Sequence, residues 1–124
     1  GIHQYVSFLG YRDDVPKIMR KSNLFVLSSR NEGVPQVVKE AMYAGVPVIA
    51  TAVGGVPDIV HNEETGLLIE CEDSADELAD RISKCITEPK FAQRIAKRGQ
   101  EFVEKNFSID RWSTRYNELL LEIS

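Results

Sequence analysis

Apolar and polar positions along the chain follow two different periods. Continuous apolar runs, typical of strands covered on both faces, occupy residues 24–28, 47–51 and 67–70, and a short strand-like run at 5–10 ends in glycine. Between these runs, apolar residues recur at spacings of three and four, which is the pattern of helices. The pattern therefore predicts about four strands that alternate with helices.

Helices are predicted over residues 15–21, 35–44, 74–87, from 89 onward and 108–123, with a short one at 57–61. Asp13 and Asp14 precede the first helix, Gly45 ends the second, and Ser74 with Glu77 forms a capping box. The residues predicted to face the core are Val15, Ile18, Met19, Val37, Val38, Ala41, Met42, Leu78, Ile82, Cys85, Ile86, Phe91, Ile95, Phe102, Val103, Ile109, Trp112, Tyr116, Leu119 and Leu120.

This alternation predicts an α/β fold: a Rossmann-like parallel sheet built from right-handed βαβ units, with helices on both faces. Four strands are few for such a domain, and the closing helices carry more aromatic surface than a small sheet covers. The chain also begins without Met, directly on a predicted strand. We therefore expect a segment of a longer protein, with either a neighbour missing or an interface exposed.

Composition narrows the function classes. The chain has 124 residues, 43% of them hydrophobic and 27% charged, which suits one soluble domain. A net charge of −4 argues against a nucleic-acid partner, since phosphate contacts need clustered Lys and Arg. Cys71 and Cys85 lack metal-binding spacing and indicate a reducing compartment, and no apolar run is long enough to span a membrane.

Candidate chemistry gathers at the loops that follow the strands, where parallel sheets bind ligands. The helix beginning near Pro35 has Gly33 and Val34 just ahead of it instead of a capping side chain, so its backbone N–H groups are available to a phosphate. Pro35 removes one of those donors. The alternative is a turn satisfied by water or by Asn31.

Two further features of these loops have both a functional and a structural interpretation. Glu32 and Glu40 are carboxylates suited to sugar and ribose hydroxyls. Their spacing alone favours the structural interpretation, in which Glu32 complements the helix dipole and Glu40 lies on a solvated face of the helix. Gly54 and Gly55 allow close approach of a ligand, or form a tight turn. His3 and His61 belong to no catalytic constellation, and His61 is expected at the surface.

Several motifs in a fixed order give the chain a resemblance to a known family. These are FLG at 8–10, SNLFVLSS at 22–29, EGVP at 32–35, EAMYAGVPVIAT at 40–51, GGVPDIV at 54–60 and TGLLI at 65–69. Together they resemble the group 1 glycosyltransferases, the retaining family-four enzymes of GT-B fold. The resemblance covers nearly the whole chain and implies that residues 1–124 are the later part of the C-terminal, nucleotide-sugar-binding domain.

The resemblance also implies roles for individual residues. Glu32 and Glu40 match the two ends of the family's E-x7-E motif, where the first glutamate contacts the donor sugar and the second the ribose of UDP, GDP or ADP. The other implied donor-binding residues are Gly33, Val34, Pro35, Gln36, Val37, Val38, Gly54 and Gly55. Asp58 stands where the family more often has glutamate. The resemblance implies neither a cofactor nor a metal.

By the same resemblance, the first strands of this domain and an N-terminal acceptor-binding domain would precede residue 1. The isolated chain is then expected to be inactive, and the acceptor stays unassigned. The full protein is expected in the cytoplasm, with peripheral association at the cytoplasmic face of a membrane compatible with the family. A GT-B nucleotide-sugar epimerase and a non-catalytic folding or interaction module are the alternatives.

Overall fold

The structure, a computed structural model, describes residues 15–27, 36–70 and 75–107, and in these ranges the sheet has three strands. They are β1 (Phe25–Leu27), β2 (Val48–Thr51) and β3 (Leu67–Ile69), and they lie in the order β1-β2-β3. Both pairings are parallel, with Val26 opposite Ile49 and Ile49 opposite Leu67. The predicted parallel sheet is confirmed, while the strand predicted at 5–10 lies outside the described residues.

Within the described ranges, four α-helices surround this sheet: α1 (Val15–Lys21), α2 (Gln36–Tyr43), α3 (Ala75–Thr87) and α4 (Pro89–Asn106). The short helix predicted at 57–61 is instead a single 3-10 turn over Val56–Asp58. The backbone N–H groups of Ile59 and Val60 both donate to the Val56 carbonyl oxygen, and both side chains are buried in the core, so the chain packs inward at this point. The helix predicted at 108–123 lies outside the described residues.

The two faces of the sheet have separate hydrophobic cores, as expected for helices on both sides. One core joins α1 and α2 to β2, and includes Met19, Val38, Met42 and Val48. The other joins α3 and the start of α4 to the opposite face, and includes Ile49, Ile69, Cys85 and Ile95. Strand β2 is fully buried because it contributes alternate side chains to both cores.

The prediction that Ile86 faces the core is wrong, because its side chain is 71% exposed. At 3.6 residues per turn, Ile86 lies about 70° from the centre of the stripe formed by Leu78, Ile82 and Cys85. Those three residues contact the second core, and Cys85 is buried. The stripe of α3 is therefore narrower than the apolar spacing indicates.

Helix α2 ends in the manner predicted from Gly45. Gly45 has φ of +77°, its N–H donates to the Met42 carbonyl at 3.0 Å, and the Val46 N–H donates to the Ala41 carbonyl at 3.2 Å. This pair of bonds is a Schellman motif, which requires a left-handed residue that glycine adopts without strain. It turns the chain directly from α2 into β2.

Helix α4 crosses the edge of the sheet where the strands begin. Its first half contributes Ile95 to one core, and its second half contributes Val103 to the other. Between them, Gly99 passes so close to the turn before β3 that an added Cβ would lie 2.8 Å from the Thr65 carbonyl oxygen. The amino-terminal edge is thereby covered by α4.

Candidate functional site

The carboxyl ends of the three strands meet at one edge of the sheet. The Thr51 hydroxyl at the end of β2 donates to the Leu27 carbonyl at the end of β1, at 3.4 Å. The Ala52 N–H donates to the Ile69 carbonyl at the end of β3, at 2.9 Å. The segments that follow β1, β2 and β3 consequently all start from this edge, which is where parallel sheets bind ligands.

Helix α2 begins at this carboxyl edge, since it follows β1 and returns antiparallel to the strands. Gln36, its first residue, is exposed, Val37 is half-buried and Val38 is fully buried. Val38 can therefore reach a ligand only through its backbone N–H. The first turn of α2 carries no acidic side chain, so no carboxylate of that turn complements the positive end of the helix dipole.

The predicted glycine loop lies at the same edge, directly after β2. The Val53 N–H donates to the Thr51 carbonyl at 2.8 Å, and the Val56 N–H donates to the Val53 carbonyl at 3.0 Å. Gly54 is exposed and has φ of +53°, a conformation that favours glycine. Gly55 precedes the 3-10 turn, whose own N–H groups are already bonded, since Asp58 donates to the Gly55 carbonyl at 3.2 Å and Pro57 has no N–H.

The glutamate pair is only half described. Glu40 is the fifth residue of α2 and is half-buried, about 150° around the helix from the centre of the buried stripe formed by Val38, Ala41 and Met42. Glu32, Gly33, Val34 and Pro35 lie outside the described residues. The predicted convergence of Glu32 and Glu40 on one ligand therefore stays a prediction.

The third segment at this edge is held by a carboxylate. The Glu70 N–H, just after β3, donates to a carboxylate oxygen of Glu77 in the first turn of α3. Ser74, the other half of the predicted capping box, lies outside the described residues. Glu77 thus connects the end of β3 to α3 and places an acid at the start of that helix, in contrast to α2.

His61 is not the surface residue that was expected. The side chain is half-buried, and the imidazole packs edge-on against Phe102 with ring centroids 4.9 Å apart. The His61 backbone N–H donates to the Thr65 hydroxyl at 2.8 Å. Its position on a turn that α4 covers accounts for the burial.

Cys85 has the character of a core thiol. It is free and buried, and burial raises the pKa of the Cys85 thiol while the charge of neighbouring Lys84 lowers it by a smaller amount. The described residues contain no cluster of His, Cys, Asp and Glu with the makeup of a metal site. Among the described helices, none has the length and hydropathy needed to cross a bilayer.

A cavity of about 560 Å³ opens at the opposite, amino-terminal edge of the sheet. Leu24 and Pro47, which precede β1 and β2, line it together with Ile86 and the helix α4. It is separated from the glycine loop by the length of the strands. The cavity is therefore not the predicted ligand site.

Two residues that position the elements of the site went unrecognised in the sequence. The Gln100 side chain of α4 donates from Nε2 to the Tyr43 carbonyl at the end of α2, at 2.9 Å. Gly99 lets the same turn of α4 approach the Thr65 carbonyl. Both contacts join residues far apart in the chain, and the only local signal was a glycine inside a helical pattern.

Comparison with known proteins gives consistent results. The model of the family described as "Glycosyl transferases group 1" matches residues 1–102. N-acetyl-alpha-D-glucosaminyl L-malate synthase of Bacillus anthracis is 30% identical over 98% of this chain and 32% of its own length. The chain spans about one third of the length of such relatives.

Solved structures agree in fold. The Anabaena protein HepE in complex with UDP is 30% identical with a TM-score of 0.85, over 98% of this chain and 34% of HepE. The C-terminal domain of the group 1 protein LpcC from Francisella tularensis is 30% identical with a TM-score of 0.74, over 84% of this chain and 53% of that chain. These matches confirm the expected α/β architecture of a GT-B C-terminal domain. The chain belongs to the group 1 glycosyltransferases.

Proposed function

We propose that this chain is the donor-binding part of a retaining glycosyltransferase and that it holds a nucleoside diphosphate sugar at the carboxyl edge of the sheet. The observation that carries the proposal is the start of α2 at that edge, without an acid in its first turn. The exposed Gly54 of the glycine loop after β2 lies at the same edge and leaves room beside it. Free N–H groups at helix starts are suited to a diphosphate.

The similarity to HepE supports this choice of ligand. HepE has been solved with UDP and with UDP-glucose, and the present chain matches those structures at TM-scores of 0.85 and 0.80. UDP-, GDP- and ADP-sugars share the diphosphate that the start of α2 would receive. The proposed donor is one of these three classes, bound without a metal.

Each residue then has a role in the proposed transfer. Backbone N–H groups of Gln36, Val37 and Val38 face the diphosphate, and the Glu40 carboxylate accepts hydrogen bonds from the ribose hydroxyls. In the loop ahead of α2, Glu32 orients the sugar, and Gly33, Val34 and Pro35 pass beside it. Gly54 and Gly55 leave room for the donor at the neighbouring strand end.

The chemistry needs stabilisation of a leaving group. The bond between the anomeric carbon and the diphosphate oxygen breaks, and both electrons leave with the diphosphate, while the acceptor oxygen bonds to the same face of the sugar and passes its proton to the departing diphosphate. Negative charge grows on the diphosphate as the bond lengthens. A preorganised helix start lowers the barrier because its dipole is already aligned with that charge.

The proposal extends to the rest of the protein. Since the chain spans about one third of its relatives, we assign the acceptor side of the cleft to an N-terminal domain outside this sequence. The chain by itself is expected to show no turnover. Association of the full protein with the cytoplasmic face of a membrane belongs to the same proposal.

The test is a thermal-shift panel of UDP-, GDP- and ADP-sugars on the full-length protein. A ligand present at about 100 times its Kd stabilises the folded state by roughly 2.7 kcal/mol, so one class should raise the melting temperature. If none of the three classes shifts it, and calorimetry also detects no binding, the proposed donor site is wrong.

Substitution of Glu32 and Glu40 tests the roles proposed for them in donor binding. Glu40→Gln should weaken donor binding by roughly 10- to 150-fold, the loss of one charge-assisted hydrogen bond worth about 1.5–3 kcal/mol. Glu32→Gln should lower kcat more than it weakens binding. Glu104→Gln is the matched control, because Glu104 is exposed near the end of α4. Equal affinities for Glu40→Gln and Glu104→Gln would return Glu40 to a purely structural role.

A further inference from the structure

A side chain of α4 forms a hydrogen bond to the carboxyl-terminal end of α2. The Gln100 amide donates to the Tyr43 carbonyl at 2.9 Å, across 57 positions of sequence. The same amide nitrogen lies 3.4 Å from the place of a Cβ on Gly45, the residue that ends α2. Gln100 is thus packed against the last turn of the helix whose first turn forms the candidate site.

The other carbonyls of this turn already have local partners. Ala44, Gly45 and Val46 donate to the carbonyls of Glu40, Met42 and Ala41, which completes the Schellman motif. The Tyr43 carbonyl instead accepts from Gln100, and carbonyls at a helix end point roughly along the helix axis. Since hydrogen bonds weaken with length and misalignment, this bond opposes sliding of α2 along its axis.

Helix α4 is itself a fixed reference for this contact. Gly99 approaches the Thr65 carbonyl as closely as its missing side chain permits. The Thr65 hydroxyl in turn accepts from the His61 N–H at 2.8 Å and donates to the Ile59 carbonyl at 3.1 Å. Gln100, one residue after Gly99, is therefore anchored to the turn that enters β3.

A displacement of the carboxyl-terminal end of α2 along the helix axis must also displace its amino-terminal end. The helix has eight residues, about 12 Å in length, without Gly or Pro, and Val38, Ala41 and Met42 are fully buried along it. Such a segment moves as a rigid unit. A shift at Tyr43 becomes a shift of the N–H groups at Gln36, at the carboxyl edge.

We propose that Gln100 is a positioning residue for donor binding: its hydrogen bond to Tyr43 sets the axial position of α2 and so the placement of the diphosphate-binding N–H groups. This inference rests on the proposed function. Gln100 lies at the opposite edge of the sheet and does not touch the donor.

The test compares four variants of the full-length protein. Gln100→Met keeps the length of the side chain and removes its N–H, Gln100→Asn keeps the amide and shortens its reach, and Gln100→Lys restores a donor. Gln93→Met is the matched control, because Gln93 is exposed on α4, about two helical turns before Gln100. Calorimetry gives the Kd of UDP, GDP and ADP, and kinetics give the donor and acceptor KM, at a temperature well below each melting transition.

Positions that act through a packed element alter coupling by roughly 2- to 30-fold in affinity. We expect Gln100→Met and Gln100→Asn to raise the Kd of the bound nucleotide and the donor KM within that range, with the acceptor KM unchanged. Gln100→Lys should recover most of the affinity, and Gln93→Met should match the parent protein. A merely structural Gln100 would lower the melting temperature and leave the Kd of the folded protein unchanged.

The outcomes separate the two proposals. If the parent protein binds none of the three nucleotides, the proposed function is overturned and this inference with it. If it binds one and Gln100→Met and Gln100→Asn bind equally well, only the positioning role is overturned. The same conclusion follows if Gln100→Lys binds as weakly as they do. Should Gln100→Met not fold, Gln100→Asn and Gln100→Lys decide the question.

Discussion

The substitution Gly99→Ala is expected to have two opposing effects on the stability of the protein. In an exposed helix, replacing Gly by Ala stabilises by about 0.8–1.0 kcal/mol, since alanine loses less conformational entropy on folding. At Gly99, however, the new Cβ would lie 2.8 Å from the Thr65 carbonyl oxygen and 3.4 Å from Cε of Met42. The first distance is too short for a carbon–oxygen contact, so α4 or the turn must move.

The turn has little freedom to move. Thr65 is held through its hydroxyl by hydrogen bonds with His61 and Ile59. The next residue, Gly66, is equally confined, because a Cβ there would lie 2.8 Å from Cγ1 of Val60. Overpacking against such a site typically costs about 1–3 kcal/mol. Subtracting the helix-propensity gain leaves a net destabilisation of about 1 kcal/mol.

The assay is urea unfolding of the protein and its variants, which gives the free energy of unfolding for each. Lys97, exposed two residues earlier on α4, supplies the control pair Lys97→Ala and Lys97→Gly. Alanine should be more stable than glycine at position 97 and less stable at position 99. The close contact with Thr65 would be refuted if Gly99→Ala raised the free energy of unfolding by about the difference measured between Lys97→Ala and Lys97→Gly.

Three further predictions test the core, the end of α2 and the buried thiol. Ile95→Ala should lower the free energy of unfolding in urea by about 2–5 kcal/mol, because Ile95 is fully buried. Ile86→Ala should lower it much less, because Ile86 is 71% exposed, and similar losses for the two variants would contradict the assigned burial. Gly45→Ala should cost about 1–2 kcal/mol by the same assay, since φ is +77°, and a neutral result would argue against the Schellman turn. In a Cys71→Ser background, Cys85 should react slowly with a thiol reagent at neutral pH and quickly on unfolding. Burial raises the pKa of Cys85 above its ordinary 9.0, so the stability that comes from the neutral thiol is present below pH 9.0 and is lost as pH rises through the pKa of the folded state. If a Cys85→Ser variant lost the same stability at alkaline pH, that loss would not come from Cys85.

The candidate site was readable from sequence to the extent that it depends on local chemistry. Gly54 and Gly55 mark a turn that needs a positive φ, and the structure places that turn at the end of β2. The first turn of α2 is free of acids, while the missing cap ahead of it stays a prediction because residues 28–35 lie outside the described residues. Whether Glu32 and Glu40 face one ligand depends on the path of a loop between two elements, which no periodicity encodes.

The order of the elements, the parallel sheet and the end of α2 at Gly45 follow from the sequence by itself, because strand runs, helical spacing and glycine's left-handed backbone act over a few neighbouring residues. Tertiary structure alone decided that Ile86 lies outside the core beside a buried Cys85, that α4 passes against Thr65 at Gly99, and that Gln100 reaches the end of α2. These outcomes depend on how whole elements pack, and packing joins residues that the sequence keeps dozens of positions apart.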